Sequence, residues 1–314
     1  MKLHEYPSEF SDLTELTAEY IGIPSSAVKR DYYIVMMLQK LERSCYADTC
    51  IFKGGTSLSK CYPGSIERFS EDIDLTYLPN CKLNDKGYDR ELKRVEEVMS
   101  EDFRLEKIPG ERNHRNKSSF VWFDESSGIT DKIKLEIGSS IHPDPYSKRS
   151  LHTYIQDFLF YTNKIGSVKE YDLQDVTINV LDIERTFLDK VMAVKRHAIC
   201  GDICNKVRHI YDVTMLYKRG DIQLFLSDTE RLKYLLRVTK ETDIFYLQKR
   251  NIDKTYNPAE SYCFESWKKF LGDSVQVRYE NLHKDLLYTN KKQDFSEAID
   301  TFQKISDCFK GIGE

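Results

Sequence analysis

The sequence lacks the features that mark several large protein classes. No stretch approaches the ~18 consecutive apolar residues that a membrane helix requires, so no membrane span is expected. The opening segment, MKLHEYPSEFSDLTEL, is acidic and broken by polar residues, unlike a signal peptide, and the expected location is cytoplasmic. Eight cysteines, at 45, 50, 61, 81, 200, 204, 263 and 308, lack the dense, regular spacing of a secreted disulfide scaffold. The one suggestive cluster, His197-x2-Cys200-x3-Cys204-x4-His209, fits no common zinc-finger spacing, and ordinary thiols beside a helix turn are expected there. Excess positive charge is missing too. A net charge of −4 and a pI near 6.1 exclude a globally basic nucleic-acid coat. They leave RNA open as a substrate, because a catalytic groove needs only a local positive patch.

There is no internal repeat and no low-complexity linker. Hydrophobic residues at 40% and charged residues at 31% give the balance of a globular chain. With 314 residues it can form one large domain or two ordinary ones. The first 20 residues read as a short helix ended by Gly22-Ile23-Pro24-Ser25-Ser26. Val28, Tyr32, Val35, Leu38 and Leu41 then recur at three- and four-residue steps, the stripe of an amphipathic helix over 27–43. Cys50-Ile51-Phe52 is β-prone, Gly54-Gly55 is a turn, and Ser57 to Tyr62 can begin a helix. Beyond the Pro63-Gly64 break, Ile73, Leu75 and Tyr77 alternate with Asp72, Asp74 and Thr76 as in a half-buried strand. A charged amphipathic helix over 86–103 and strands at Ser119–Asp124 and Lys132–Gly138 follow. From about Leu181 helical periodicity dominates, with Phe187, Leu188, Val191 and Val194 on one stripe. The expected architecture is α+β: residues 1–180 form a mixed sheet flanked by helices, and residues 181–314 a mainly helical domain.

The segment FKGGTSLSK…RFSEDIDL carries the chemistry. Side chains two apart on a strand share a face, so Asp72 and Asp74 project together while Ile73 and Leu75 enter the core. Two adjacent carboxylates repel unless something positive lies between them. Oxygen ligands without histidine or thiolate suit Mg²⁺ or Mn²⁺. Gly54 and Gly55 lack a Cβ and let a phosphate approach the backbone, and Ser57 with the N–H groups of a helix start can bind its oxygens. Thr56 and Lys60 belong to the same candidate nucleotide-binding turn. A phosphate cradle beside a metal-binding acid pair is what phosphoryl or nucleotidyl transfer requires. In Asp131-Lys132-Ile133-Lys134-Leu135-Glu136-Ile137 the apolar residues again alternate with polar ones. If that strand lies beside the Asp72–Asp74 strand, Glu136 becomes the third metal ligand. Lys134 then contacts phosphate or balances charge.

The order strand, Gly-Gly, helix, Asp-x-Asp strand, later acidic strand resembles the minimal signature of the polymerase β-type nucleotidyltransferase superfamily. More narrowly, the two quoted segments resemble the AbiEii/AbiGii toxin family, the enzyme half of type IV toxin–antitoxin and abortive-infection systems. The likeness continues in ERTFLDK (184–190) and RHIYDV (208–213), so its motifs touch most of residues 20–220. Fifteen residues separate Thr56 from Asp72, more than in the tightest form of the signature, and the Tyr62-Pro63-Gly64 turn accounts for the longer loop. The resemblance implies catalytic roles for Asp72, Asp74, Glu136, Lys190 and Asp212. Lys190 would contact the nucleotide phosphates, Asp212 would fix Lys190 or Arg208, and Arg208 would lie in the nucleotide-binding set. The helical domain would thereby complete the active site. The resemblance also implies an NTP substrate, Mg²⁺ or Mn²⁺, the 3′ end of tRNA as acceptor, inhibition of translation, and an antitoxin encoded nearby that need not bind the toxin. A protein hydroxyl is the alternative acceptor. A non-catalytic nucleotide-binding module is a third reading, but it predicts a broken acid triad, and all three acids are present. Two basic clusters could track an RNA backbone: Arg112, His114, Arg115 and Lys117, and Lys195, Arg196, His197, Lys206, Arg208 and His209.

Overall fold

Alternating apolar residues in the N-terminal half build a seven-stranded mixed sheet, and the helical stripes of the C-terminal half pack against one another. This is the architecture of an α+β protein in a computed structural model. The structure describes residues 1–123, 132–140, 142–248, 256–284, 286–288 and 290–313. The chain divides into two compact units. The first comprises Met1–Cys61, Ser70–Ser139 and Tyr146–Val180, and the second Tyr62–Phe69, Ser140–Pro145 and Leu181–Glu314.

In the first unit, α1 (Pro7–Ile21) stops at Gly22, whose φ of +79° closes the helix with an N–H donated to the Ala18 carbonyl. Then come α2 (Ser25–Glu42), β1 (Cys50–Lys53), α3 (Gly54–Cys61), β2 (Asp72–Tyr77) and α4 (Asp85–Ser100). The remaining strands are β3 (Arg104–Lys107), β4 (Asn116–Trp122), β5 (Lys132–Gly138), β6 (Tyr146–Leu151) and β7 (Val176–Leu181). Between the last two lie α5 (Tyr154–Tyr161) and α6 (Ile165–Glu170). Strand order is β3-β4-β5-β2-β1-β7-β6. β2 runs parallel to β5 and antiparallel to β1, and β4 is antiparallel to both β3 and β5. The strand expected over Ser119–Asp124 is β4, shifted toward the N-terminus; Asp124 and Asp131 lie outside the described residues.

Period-two alternation gives this sheet two different faces. Ile73, Leu75, Val121, Ile133, Leu135 and Ile137 are fully buried. α4 lies on their side of the sheet, because Ser119, next to Val121, donates its hydroxyl to Glu96 of α4. The opposite face carries the polar residues of the same strands.

The second unit holds α7 (Ile183–Ile199), α8 (Val207–Tyr217), α9 (Gly220–Ser227), α10 (Thr229–Gln248), α11 (Phe264–Trp267), α12 (Asp273–Glu280) and α13 (Phe295–Gly311). The stripe Phe187, Leu188, Val191 and Val194 is wholly buried, as its spacing predicts. An aromatic cluster of Tyr262, Phe264, Trp267, Phe302 and Phe309 forms a further part of this core. Among the described residues no helix is long and apolar enough to cross a membrane.

Candidate active site

Strand pairing gathers the three acids. Asp74 of β2 stands opposite Glu136 of β5, and Asp72 opposite Lys134. On the other side of β2, Asp74 faces Lys53 at the end of β1. Directly paired residues share a face, so Asp72, Asp74, Glu136, Lys134 and Lys53 all project from the polar side of the sheet. Ser118 of β4 extends this row and donates to Glu136 at 3.3 Å.

The electrostatics follow from this crowding. Burial, then Glu136 and Asp72, push the Asp74 carboxyl up to about 6, with Lys53 opposing. Burial would raise Glu136 as well, but the Lys134 ammonium 2.9 Å away, with a hydrogen bond from Asp74, holds it below its ordinary value. Lys134 is shared with Glu111 at 2.8 Å, so it balances charge between two acids. Asp74 and Glu136 therefore crowd one another and share a hydrogen bond. Among the described residues, no three carboxylate, imidazole or thiol groups already stand as a ready-made cage for an ion. The donors available are hard oxygens under mutual repulsion, which fits a divalent cation of the Mg²⁺ or Mn²⁺ type.

The glycine turn is fitted to the acids. Gly54 has φ +87°, and a Cβ built there would lie 2.2 Å from Asp74 Oδ2. The space left by the missing side chain is thus filled by the carboxylate. α3 begins at Gly54, and Ser57 is completely buried, its hydroxyl donating to the Gly54 carbonyl at 2.9 Å. Thr56 donates to the Asp72 carbonyl and lies 2.9 Å from the Ser70 hydroxyl, tying the helix start to β2. Lys60 pairs with buried Asp31 and lies 4.3 Å from the Tyr154 ring centroid. Ser57, Thr56 and Lys60 are therefore engaged inside the first unit, while Gly54 abuts Asp74 itself.

The second unit contains a different charged cluster. Arg68 grips Asp212 with two bonds, Nε at 2.6 Å and Nη2 at 2.7 Å, and Lys190 Nζ reaches the same carboxylate at 2.7 Å. All three are buried, at 2%, 0% and 6% exposure for Arg68, Asp212 and Lys190. Burial would raise Asp212, but Arg68 and Lys190 outweigh it and keep the carboxyl well below the usual range. Burial lowers Lys190 despite Asp212. Burial also drives His209 far down, with Lys190 adding to the effect, so its imidazole is neutral.

Sequence reasoning missed Lys53 and Arg68. Lys53 could have been found from its place as the last strand residue before Gly-Gly, two positions from buried Ile51. Arg68 had no local signal, since its partner is 144 positions away. Several members of the two basic clusters are already paired within the protein. Arg112 is bidentate to buried Glu96 at 2.6 and 2.8 Å, Arg115 pairs with Asp85 at 2.9 Å, and Lys117 with Asp89 at 2.8 Å. In the other cluster Lys195 is buried and His209 half-buried, Arg196 pairs with Asp243, and His197 is bonded to Asp202 at 2.8 Å.

Comparison with known proteins adds to this geometry. Residues 36–302 match the model of a family described as nucleotidyl transferase AbiEii toxin, type IV TA system. Among solved structures the chain is similar to MenT4, nucleotidyltransferase toxin Rv2826c from Mycobacterium tuberculosis H37Rv, at 17% identity and a TM-score of 0.48. That match covers 95% of this chain and 98% of the other. It is also similar to JHP933 from Helicobacter pylori, at 18% identity and a TM-score of 0.39, over 83% of this chain and 95% of the other. No curated protein sequence matches.

Proposed function

Since the chain belongs to the AbiEii family of nucleotidyltransferase toxins, we propose that it transfers a nucleotide from an NTP to the 3′ end of tRNA and so inhibits translation. The observation that carries the reading is the register that sets Asp74 beside Glu136, with Asp72 on the same face. Asp72, Asp74 and Glu136 would hold the divalent metal, Mg²⁺ or Mn²⁺. When bound, such a cation neutralises the triphosphate and lowers the pKa of an attacking hydroxyl. The protein's own groups do the rest. Lys53 and Lys134 offset the carboxylate charge from either side of β2, and Ser118 orients Glu136. Gly54 lets the helix start close on Asp74 without a clash. Glu136 is the candidate to accept the proton of the acceptor hydroxyl, because Lys134 keeps it ionised at neutral pH. Lys190 is assigned to the nucleotide's phosphates, its ammonium held by Asp212, which Arg68 grips in turn. The toxin works in the cytoplasm, opposed by an antitoxin encoded nearby that need not touch it.

The test is incubation of the protein with Mg²⁺, each α-³²P-labelled NTP in turn, and total tRNA, with Asp72→Ala alongside. Label on tRNA from wild type alone is expected. Label on a protein band instead would transfer the reading to a protein hydroxyl as acceptor. Equal label from Asp72→Ala would remove the acid triad from the chemistry.

A further inference from the structure

The sheet face that bears the acids does not end at Glu136. Two residues back along β5 is Lys134, and two further back is Lys132; opposite them on β4 stand Phe120 and Trp122. Arg104 of β3 pairs with Trp122, and Glu106 with Phe120. All lie on the face opposite buried Val121, Ile133 and Leu135. Phe120, Trp122, Lys132 and Lys134 are half-buried and Arg104 is exposed, where a buried core would be apolar throughout. Lys132 Nζ sits 3.8 Å from the Phe120 ring centroid and 4.8 Å from that of Trp122, and the Arg104 guanidinium 4.6 Å from Trp122. Glu106 accepts the Trp122 indole N–H at 2.7 Å and fixes that ring, and the same Oε2 lies 3.9 Å from Arg104 Nη1.

Two half-buried aromatic rings with cations stationed over them on one sheet face are the parts of a single-strand stacking platform. Every base offers a flat π-face whatever its sequence, and guanidinium planes stack on it as rings do. A cation–π contact at an exposed site is weak, so a base can take the cation's place and the freed charge can meet a phosphate. Lys132 is four residues from Glu136, about 13 Å along the strand at ~3.3 Å per residue. That is a few nucleotides at the ~3.4 Å spacing of a stacked strand. A terminal nucleotide at the acids therefore places the next few bases over Phe120 and Trp122. We infer that this face binds the single-stranded 3′ end of the nucleic-acid acceptor, with its bases on Phe120 and Trp122 and a phosphate on Lys132. A continuous duplex end is a poor fit, because its bases are already stacked on one another. The inference rests on a nucleic acid being the acceptor.

Fluorescence tests binding apart from transfer. The chain has two tryptophans, and Trp267 is fully buried, so quenching by an added strand reports on Trp122. The whole protein is titrated with a short mixed-sequence single-stranded RNA and with a blunt RNA duplex, and affinity is measured in parallel by polarisation of the labelled strand. Saturable quenching by the single strand, weaker in high salt and much smaller with the duplex, is expected. Phe120→Ala and Trp122→Ala should each weaken binding about tenfold and raise the KM for tRNA more than they lower kcat. Trp122→Phe should restore most of the affinity because it keeps a ring. Lys132→Gln, which leaves both rings in place, should flatten the salt dependence, and melting curves check that each variant is folded. Absent quenching, or equal affinity of folded Phe120→Ala and Trp122→Ala for the strand, would overturn the platform even if tRNA is labelled. Quenching and ring-dependent affinity without any labelling of RNA would uphold the platform and remove tRNA as the acceptor. Quenching by a protein acceptor alone would overturn it.

Discussion

The two charged clusters use the same residue types to opposite ends. In the first unit Asp72, Asp74 and Glu136 share one half-buried face with Lys53 and Lys134, and burial and the neighbouring acids push Asp74 up to about 6. In the second unit one acid, Asp212, is saturated by two cations, Arg68 and Lys190, and its carboxyl is held low. Acids in excess are under mutual repulsion that an incoming cation relieves. An acid in deficit is the keystone of a buried network, and removing it strands its partners. The first arrangement is suited to taking up a cation, and in the second Asp212 fixes the Lys190 ammonium that is assigned to the phosphates.

The sharpest way to break this contrast is to delete one acid from each cluster. Asp74→Ala should reduce nucleotide transfer by roughly 10³-fold or more, since several kcal/mol of charge stabilisation depend on the acid set. Stability should stay within about 1 kcal/mol of wild type, because a repelled charge is lost. Asp212→Ala leaves two buried cations unpaired and should cost ~3–5 kcal/mol, read as a lower denaturant midpoint. Equal destabilisation by both substitutions would mean that Asp74 is a structural acid too, and the distinction would fail.

A pair of glycines sharpens the same comparison. Gly22 and Gly54 have nearly the same backbone, φ +79° and +87°, but a Cβ on Gly22 meets nothing within 4 Å whereas one on Gly54 meets Asp74 Oδ2 at 2.2 Å. Gly22→Ala should cost only the left-handed backbone penalty, ~1–2 kcal/mol, and leave transfer intact. Gly54→Ala must also displace Asp74, so transfer should fall ~10-fold or more. If the two alanine variants transfer equally well, the fit of Gly54 to Asp74 has no part in the chemistry.

These contrasts mark where sequence reading stops. The shared face of Asp72 and Asp74 follows from period two alone, and so does the buried stripe of α7, because both are properties of a single element. Glu136 was legible as an outward acid on its own strand, but its place beside Asp74 is a fact of register between strands 62 positions apart. Nothing local in the sequence shows that the Ser57 hydroxyl turns back to Gly54 or that the Lys60 ammonium meets Asp31. The basic run Arg112 to Lys117 looked like a nucleic-acid track for the same reason, since its neutralising acids, Asp85, Asp89 and Glu96, come from α4. The ring contacts of Arg104 and Lys132 have no local signal, because these residues are scattered in sequence and adjoin only through pairing.

The smallest effect tests whether that basic run is as spent as its pairing implies. Lys117 and Lys93 hold Asp89 at 2.8 and 2.6 Å and pull its carboxyl down to about 2, chiefly through these hydrogen bonds. An unfolded aspartate titrates near ~3.9. A folded value below the unfolded one stabilises the protein above that upper value, and the contribution is lost as pH falls toward about 2. Because Asp89 is in contact with solvent, the gain should be no more than about 1 kcal/mol. Asp89→Asn should therefore have a slightly lower denaturant midpoint than wild type at pH 7, and the two should converge as pH is lowered from 4 toward 2. A difference that persists unchanged to pH 2 would mean that Asp89 contributes through packing or neutral hydrogen bonds. Lys117 would then be less bound by charge, and its segment would again be available to a phosphate backbone.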